Sequence, residues 1–197
     1  MAGHSKWANI QHRKGVRDQQ RGAGNLDGSG FQAVTYEGYG PGGAAVIVTC
    51  MTDNRSRMVA DIRNAFAQHG GNLGAKGCVG YLFNEVGLLC FPRGVRAGAV
   101  VAAALDAGAE DVITHDDGSL DVLTDPKDFA RVKETLERGG LPPEKAEVTL
   151  RSSVATTLGE KDATGMVKLL ETLEEMDDVQ NVYSNADIPV AVLARLV

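Results

Sequence analysis

The chain predicts an α+β fold: two nested ferredoxin-like lobes, each an antiparallel sheet with helices on one face, preceded by a basic N-terminal arm. Three observations carry this. Apolar runs of strand length and amphipathic helical stripes follow one another without the regular strand–helix alternation of a parallel sheet. Between Val86 and Arg151 their order is β-α-β-β-α-β, the ferredoxin-like pattern. The segments on either side read β-β-α-β and α-β, and they complete a second lobe only if taken together. The expected divisions are residues 1–30 for the arm and a linker, 31–84 plus 153–197 for the outer domain, and 85–152 for the inserted one.

Composition narrows the function classes. A length of 197 residues holds one large domain or two small ones, and 5% aromatic content requires aliphatic cores. Cys50, Cys78 and Cys90 are far apart and lie in apolar segments, which fits reduced, structural thiols in a cytoplasmic protein. No apolar run reaches the length of a membrane span, and the N-terminus carries no signal-peptide core, so no membrane partner is expected. The net charge is −6, yet residues 1–22 hold five basic side chains against Asp18, a net +4 that leaves −10 on the rest. A basic arm on an acidic body points to an arm that meets a polyanion.

Taken in order, the arm sets Trp7 among Lys6, Arg13, Lys14, Arg17 and Arg21. Cations neutralise phosphates and an indole stacks on bases, which suits nucleic acid; a solvated tail with Trp7 docked on the body is the alternative. Gly22 to Gly30 is a Gly/Ser/Asn/Asp-rich linker. A strand over Phe31–Tyr36 then enters Tyr36-Glu37-Gly38-Tyr39-Gly40-Pro41-Gly42-Gly43, and Ala44–Met51 leaves it as a second strand. Glycines that reach φ > 0 and a proline without an N–H make this a tight, backbone-exposing loop. Tyr39 would stack there, and Gly40, Gly42 and Gly43 would allow close approach to a phosphate or base. The same eight residues also read as a plain hairpin connection. No Gly-Lys-Ser/Thr ending and no directly following helix make a P-loop.

Thr52-Asp53-Asn54 offers a helix N-cap, and Met58, Ile62 and Phe66 form one buried face that Gly70-Gly71 ends. Arg55 and Arg57, near the loop side, are candidate phosphate contacts; Arg63 is read as solvated. Cys78–Phe83 is expected to be the next strand. In the inserted unit, strands over Val86–Phe91, Asp111–Thr114, Ser119–Leu123 and Ala146–Arg151 alternate with helices. The first helix is the alanine-rich Ala97–Ala107; the second is capped by Asp125 and turns Phe129, Val132 and Leu136 inward. Met166, Leu169, Leu170, Leu173 and Met176 make the last helical stripe, and Val179–Tyr183 the last strand. Glu174, Glu175, Asp177 and Asp178 crowd that helix's C-terminus, where the macrodipole disfavours negative charge. A local cost without local gain marks them as a candidate partner surface.

No catalytic constellation is present in the sequence: there is no Gly-x-Ser-x-Gly elbow and no His-Glu-x-x-His. His4, His12, His69 and His115 have no metal spacing, so neither an enzyme, a metal nor a cofactor is expected.

Several long motifs resemble the YebC/PmpR family. They are the opening Met-Ala-Gly-His-Ser-Lys-Trp-Ala-Asn-Ile-Gln-His-Arg-Lys, the glycine loop, Thr52-Asp53-Asn54-Arg55, His69-Gly70-Gly71-Asn72-Leu73-Gly74 and Asp177-Asp178-Val179-Gln180-Asn181-Val182-Tyr183-Ser184-Asn185-Ala186-Asp187. The resemblance implies the nested arrangement and a nucleic-acid-binding regulator of gene expression. It points to DNA through the family's label as transcriptional regulators. It points to ribosomal RNA and the ribosome, at proline-rich stretches, through likeness to a mitochondrial translational activator of cytochrome c oxidase. In the family the arm continues into a long helical segment completing a three-helix domain. Here Gly22 passes almost at once into the linker, so most of that domain is absent. A protein–protein adaptor acting through Glu174–Asp178, or a small-molecule-sensing module, is the rival reading. The oligomeric state is left open.

Overall fold

The computed structural model describes residues 30–189 and 192. The arm residues Lys6, Trp7, Arg13, Lys14, Arg17 and Arg21 lie outside them. The fold is α+β, as expected, and the described residues form two four-stranded sheets, a two-stranded ribbon and four α-helices. It divides into two units, one running up to Phe83 and resuming at Ser152, the other Asn84–Arg151.

The outer unit begins with β1 (Gln32–Tyr39) and β2 (Ala45–Thr52), an antiparallel pair in register from Gln32 opposite Thr52 to Tyr39 opposite Ala45. Helix α1 (Arg55–Gln68) follows. Its N-cap is Asn54, whose side chain accepts from the Arg57 N–H at 3.0 Å. Its C-terminus closes when Gly71 N donates to Phe66 O at 2.8 Å, with Gly70 at φ 80°; a residue in the left-handed region satisfies the last carbonyls. The short β3 (Asn72–Leu73) joins the far side of β1. The remaining elements come after the insertion: β8 (Thr156–Thr157), α4 (Glu160–Glu175), β9 (Val179–Ser184) and β10 (Ala186–Asp187). The main sheet order is β3-β1-β2-β9, and β8 pairs with β10 in a small parallel ribbon.

Period-two alternation decides the two faces of this sheet. Val46, Val48 and Cys50 of β2 pack with Met58, Ile62 and Phe66 of α1 and Met166, Leu169, Leu170 and Leu173 of α4. Ala45 and Ile47, also buried, point the other way, as does Glu37, which stands opposite Ile47.

That second face exposes a difference from the expected fold. Cys78–Phe83 is not a strand: Gly80–Leu82 is a single 3-10 turn, and extended structure starts only at Phe83. The N–H groups of Gly77, Val79 and Gly80 bond the Glu37 carboxylate instead of a neighbouring strand.

The inserted unit contains β4 (Phe83–Phe91), α2 (Ala97–Asp106), β5 (Asp111–Thr114), β6 (Leu120–Thr124), α3 (Phe129–Arg138) and β7 (Lys145–Ser152). Sheet order β5-β6-β4-β7 is that of a ferredoxin-like unit, with β4 central and β7 on its outer side. Leu89, Phe91, Leu120 and Val122 pack against Val100 and Ala104 of α2 and Val132 and Leu136 of α3. Asp125 caps a turn preceding α3, its carboxylate accepting from Lys127 N at 2.8 Å, so the helix proper begins at Phe129. All three cysteines are free; Cys50 is buried, Cys78 and Cys90 half-buried. Burial pushes the Cys50 thiol up to about 12, with Asp178 adding to it.

Candidate nucleic-acid interface

Tyr39 ends β1, and the chain turns sharply behind it. Gly40 N donates to Ala44 O at 2.7 Å and Gly43 N to Gly40 O at 3.1 Å, closing a one-turn 3-10 helix over Pro41–Gly43. Gly42 and Gly43 take φ 69° and 78°, which L side chains rarely adopt. The turn is clamped onto α4. A Cβ on Gly40 would lie 2.5 Å from Met166 Sδ, and one on Gly165 would lie 3.2 Å from Pro41 Cγ. Gly40 and Pro41 are buried, while Gly42 and Gly43 face outward. Gly40 is therefore glycine for packing, its backbone buried against α4.

Tyr39 is 37% exposed and donates its hydroxyl to Cys78 O at 2.9 Å. That hydroxyl titrates above its ordinary range, through burial first and then the Tyr81 phenol and Cys78 thiol beside it. Tyr81 itself is 75% exposed.

Beneath this pair lies Glu37. Its carboxylate accepts from Gly77 N at 2.7 Å, Val79 N at 3.0 Å and Gly80 N at 2.7 Å. Burial alone would raise its pKa, but the three N–H bonds, helped by Lys76, outweigh it and hold the carboxyl below the usual range.

Arg55 and Arg57 belong to the other end of the sheet. Since Tyr39 pairs with Ala45 and Gln32 with Thr52, the start of α1 is separated from the glycine turn by the length of β2, roughly 23 Å at strand rise. Arg55 is exposed. Arg57 is engaged: its Nη2 lies 2.6 Å from Asp178 Oδ2 and 3.2 Å from Asp53 Oδ1. Asp178 also accepts from Thr52 Oγ1 at 2.8 Å, and Thr52 Oγ1 in turn accepts from Asn54 N at 3.1 Å. Arg57 and Asp178, assigned from sequence to two different surfaces, thus form one contact that seats the α1 N-terminus. Glu175 and Asp177 stay exposed and Glu174 is half-buried.

Sequence reasoning passed over Glu37, Lys76 and Tyr81. The signal was the spacing Gly74, Gly77 and Gly80 after a lone acid inside a strand.

Comparison with known proteins adds four findings. Residues 31–186 match the family model described as the TACO1/YebC second and third domain. A protein of Methylococcus capsulatus named probable transcriptional regulatory protein is 45% identical over 247 aligned positions, covering 100% of both chains. One of the same name from Hahella chejuensis is 44% identical over 246 positions, covering 100% of this chain and 99% of its own. Because the chain has 197 residues, the surplus positions are gaps in it. The crystal structure of a conserved hypothetical protein from Aquifex aeolicus superposes with a TM-score of 0.75 at 42% identity, covering 94% of this chain and 76% of that one.

Proposed function

The chain belongs to the TACO1/YebC family, and on that premise we propose that it is a cytoplasmic regulator of gene expression that works by binding nucleic acid, not by catalysis. The observation that carries this reading is the rim where β1 ends. There the exposed Tyr39 is followed, three residues on, by the exposed Gly42–Gly43 backbone, so one chain turn offers both a π face and a place of close approach. The relatives' printed names support the regulatory half of the reading. The polyanion half is supported by the +4 of residues 1–22, with Lys6, Trp7, Arg13, Lys14, Arg17 and Arg21 as its contacts.

The body's −10 repels phosphate and disfavours wrapping long duplex DNA. Ribosomal RNA, met on the ribosome at proline-rich stretches, is the target favoured here over DNA. The adaptor alternative loses ground because Asp178 is already bonded to Arg57 and Thr52.

The test is a binding titration of ribosomal RNA and of duplex DNA across salt, for the natural sequence and for Lys14→Ala/Arg17→Ala. Each lost phosphate contact should flatten the log–log slope by about 0.7 to 0.9. Affinity and slope unchanged on both probes would remove the arm from the mechanism.

A further inference from the structure

Tyr81 is the most exposed large hydrophobic side chain among the described residues of the outer unit, at 75%, and its segment is held by many hydrogen bonds. Gly74 N donates to Glu37 O at 2.8 Å, Cys78 N to Ala75 O at 3.1 Å and Leu82 N to Val79 O at 2.9 Å. Three further N–H groups converge on the Glu37 carboxylate, and the Tyr39 hydroxyl ties down Cys78 O. A Cβ on Gly80 would come within 3.2 Å of the Glu37 carboxylate, so the cradle closes around that group. A fold that fixes a backbone this firmly and leaves its aromatic ring in water has pre-organised the ring for a ligand.

We propose that Tyr81 with Tyr39 is a stacking platform for an unpaired nucleobase, with the exposed Lys76 meeting the adjoining phosphate and Glu37 as the positioning residue that mounts it. This rests on the nucleic-acid reading above and narrows its ligand to single-stranded or looped-out stretches. A paired base offers only its edges, whereas an unpaired base offers a whole face to an aromatic ring. The lysine supplies the charge complementarity that a purely apolar partner would not need.

The experiment is a titration of a labelled short oligouridylate and of an RNA duplex of equal length with the full chain. Tyr81→Ala should weaken the single strand about five- to 150-fold, the range of one stacked base, with the salt slope kept and duplex affinity unchanged. Tyr81→Phe should restore binding, since the ring and not the hydroxyl stacks. Glu37→Gln should also weaken the single strand, and this loss should vanish in the Tyr81→Ala background, because Glu37 acts through that ring.

Single-strand affinity untouched by Tyr81→Ala, while the natural sequence still binds and the Lys14→Ala/Arg17→Ala slope still flattens, would overturn the platform and spare the wider reading. Binding of neither probe by the natural sequence would overturn both. A labelled proline-rich peptide is titrated alongside, and a loss on Tyr81→Ala confined to that peptide would assign the rings to a protein partner and overturn the platform as well.

Discussion

Each sheet carries a shielded carboxylate on the face turned away from its helices, and the two are held by different chemistry. Glu37 of β1, 7% exposed, is bonded by three backbone N–H groups. Asp121 of β6 meets titratable side chains: His115 Nε2 at 2.9 Å, Arg151 Nη1 at 4.0 Å and the Cys90 thiol opposite it in register. Both tie a connecting segment down, Glu37 the stretch before β4 and Asp121 the turn between β5 and β6. Backbone donors neither titrate nor disappear on substitution, so Glu37 cannot be relieved by changing its partners. Asp121 can.

The largest effect should follow Glu37→Ala, which strands three donors and should cost about 2–4 kcal/mol in thermal or denaturant unfolding. A cost no greater than that of Asp121→Asn would erase the contrast. Asp121→Asn keeps the shape and a partner for His115, and should cost about 1 kcal/mol. It should also speed labelling of Cys90, whose thiol is pushed up first by burial and then by Asp121.

Acid sharpens the comparison. Glu37 has a depressed folded pKa, so its contribution is complete above the ordinary glutamate value of about 4.3 and is lost as pH falls through the lower folded value. Stability of the natural sequence should therefore converge on that of Glu37→Gln below about pH 4, as measured by urea unfolding across pH. A constant gap would show that charge is not what the cradle recognises. The smallest effect is expected from Arg57→Ala. This pair is charged too, but the Arg57 side chain is 52% exposed, so solvent screens it and the shift in the unfolding midpoint should be the smallest of the set.

The same contrast separates what the sequence made legible from what it did not. Local rules found α1, because Asn54 and Gly70 are its immediate neighbours and Met58, Ile62 and Phe66 its stripe. They also found the β-α-β-β-α-β order, where each element carries its own period and its own turn residues. They failed where donor and acceptor are far apart. Cys78–Phe83 reads as a strand from its own residues, but the N–H groups of Val79 and Gly80 go to a carboxylate some forty positions earlier and not to a sheet. Arg57 reads as a candidate phosphate contact, and nothing local announces its bond to Asp178, 121 residues later. Nor does anything local announce that Gly40 packs against Met166, which is equally remote. In the site, Tyr39 and the Gly42–Gly43 turn were visible as a loop signature, whereas Tyr81 needed the fold to reveal how exposed it is.

The discontinuity of the outer sheet has a consequence for synthesis. Strand β2 needs β9 as its second neighbour, with Val48 opposite Val182, and β9 is made only after the whole insertion. The inserted unit is one continuous stretch whose first and last strands, β4 and β7, lie side by side. It can therefore fold while the outer sheet still has an open, apolar edge of the kind that invites wrong pairing. Once it does, the chain re-emerges beside the point where it left, and Ser153 N is placed to reach Leu82 O, 3.2 Å away in the finished fold. What would have been a long loop for β9 to close becomes a short one, and the closure entropy falls accordingly. The insertion is in this sense a folding clamp for the unit that surrounds it.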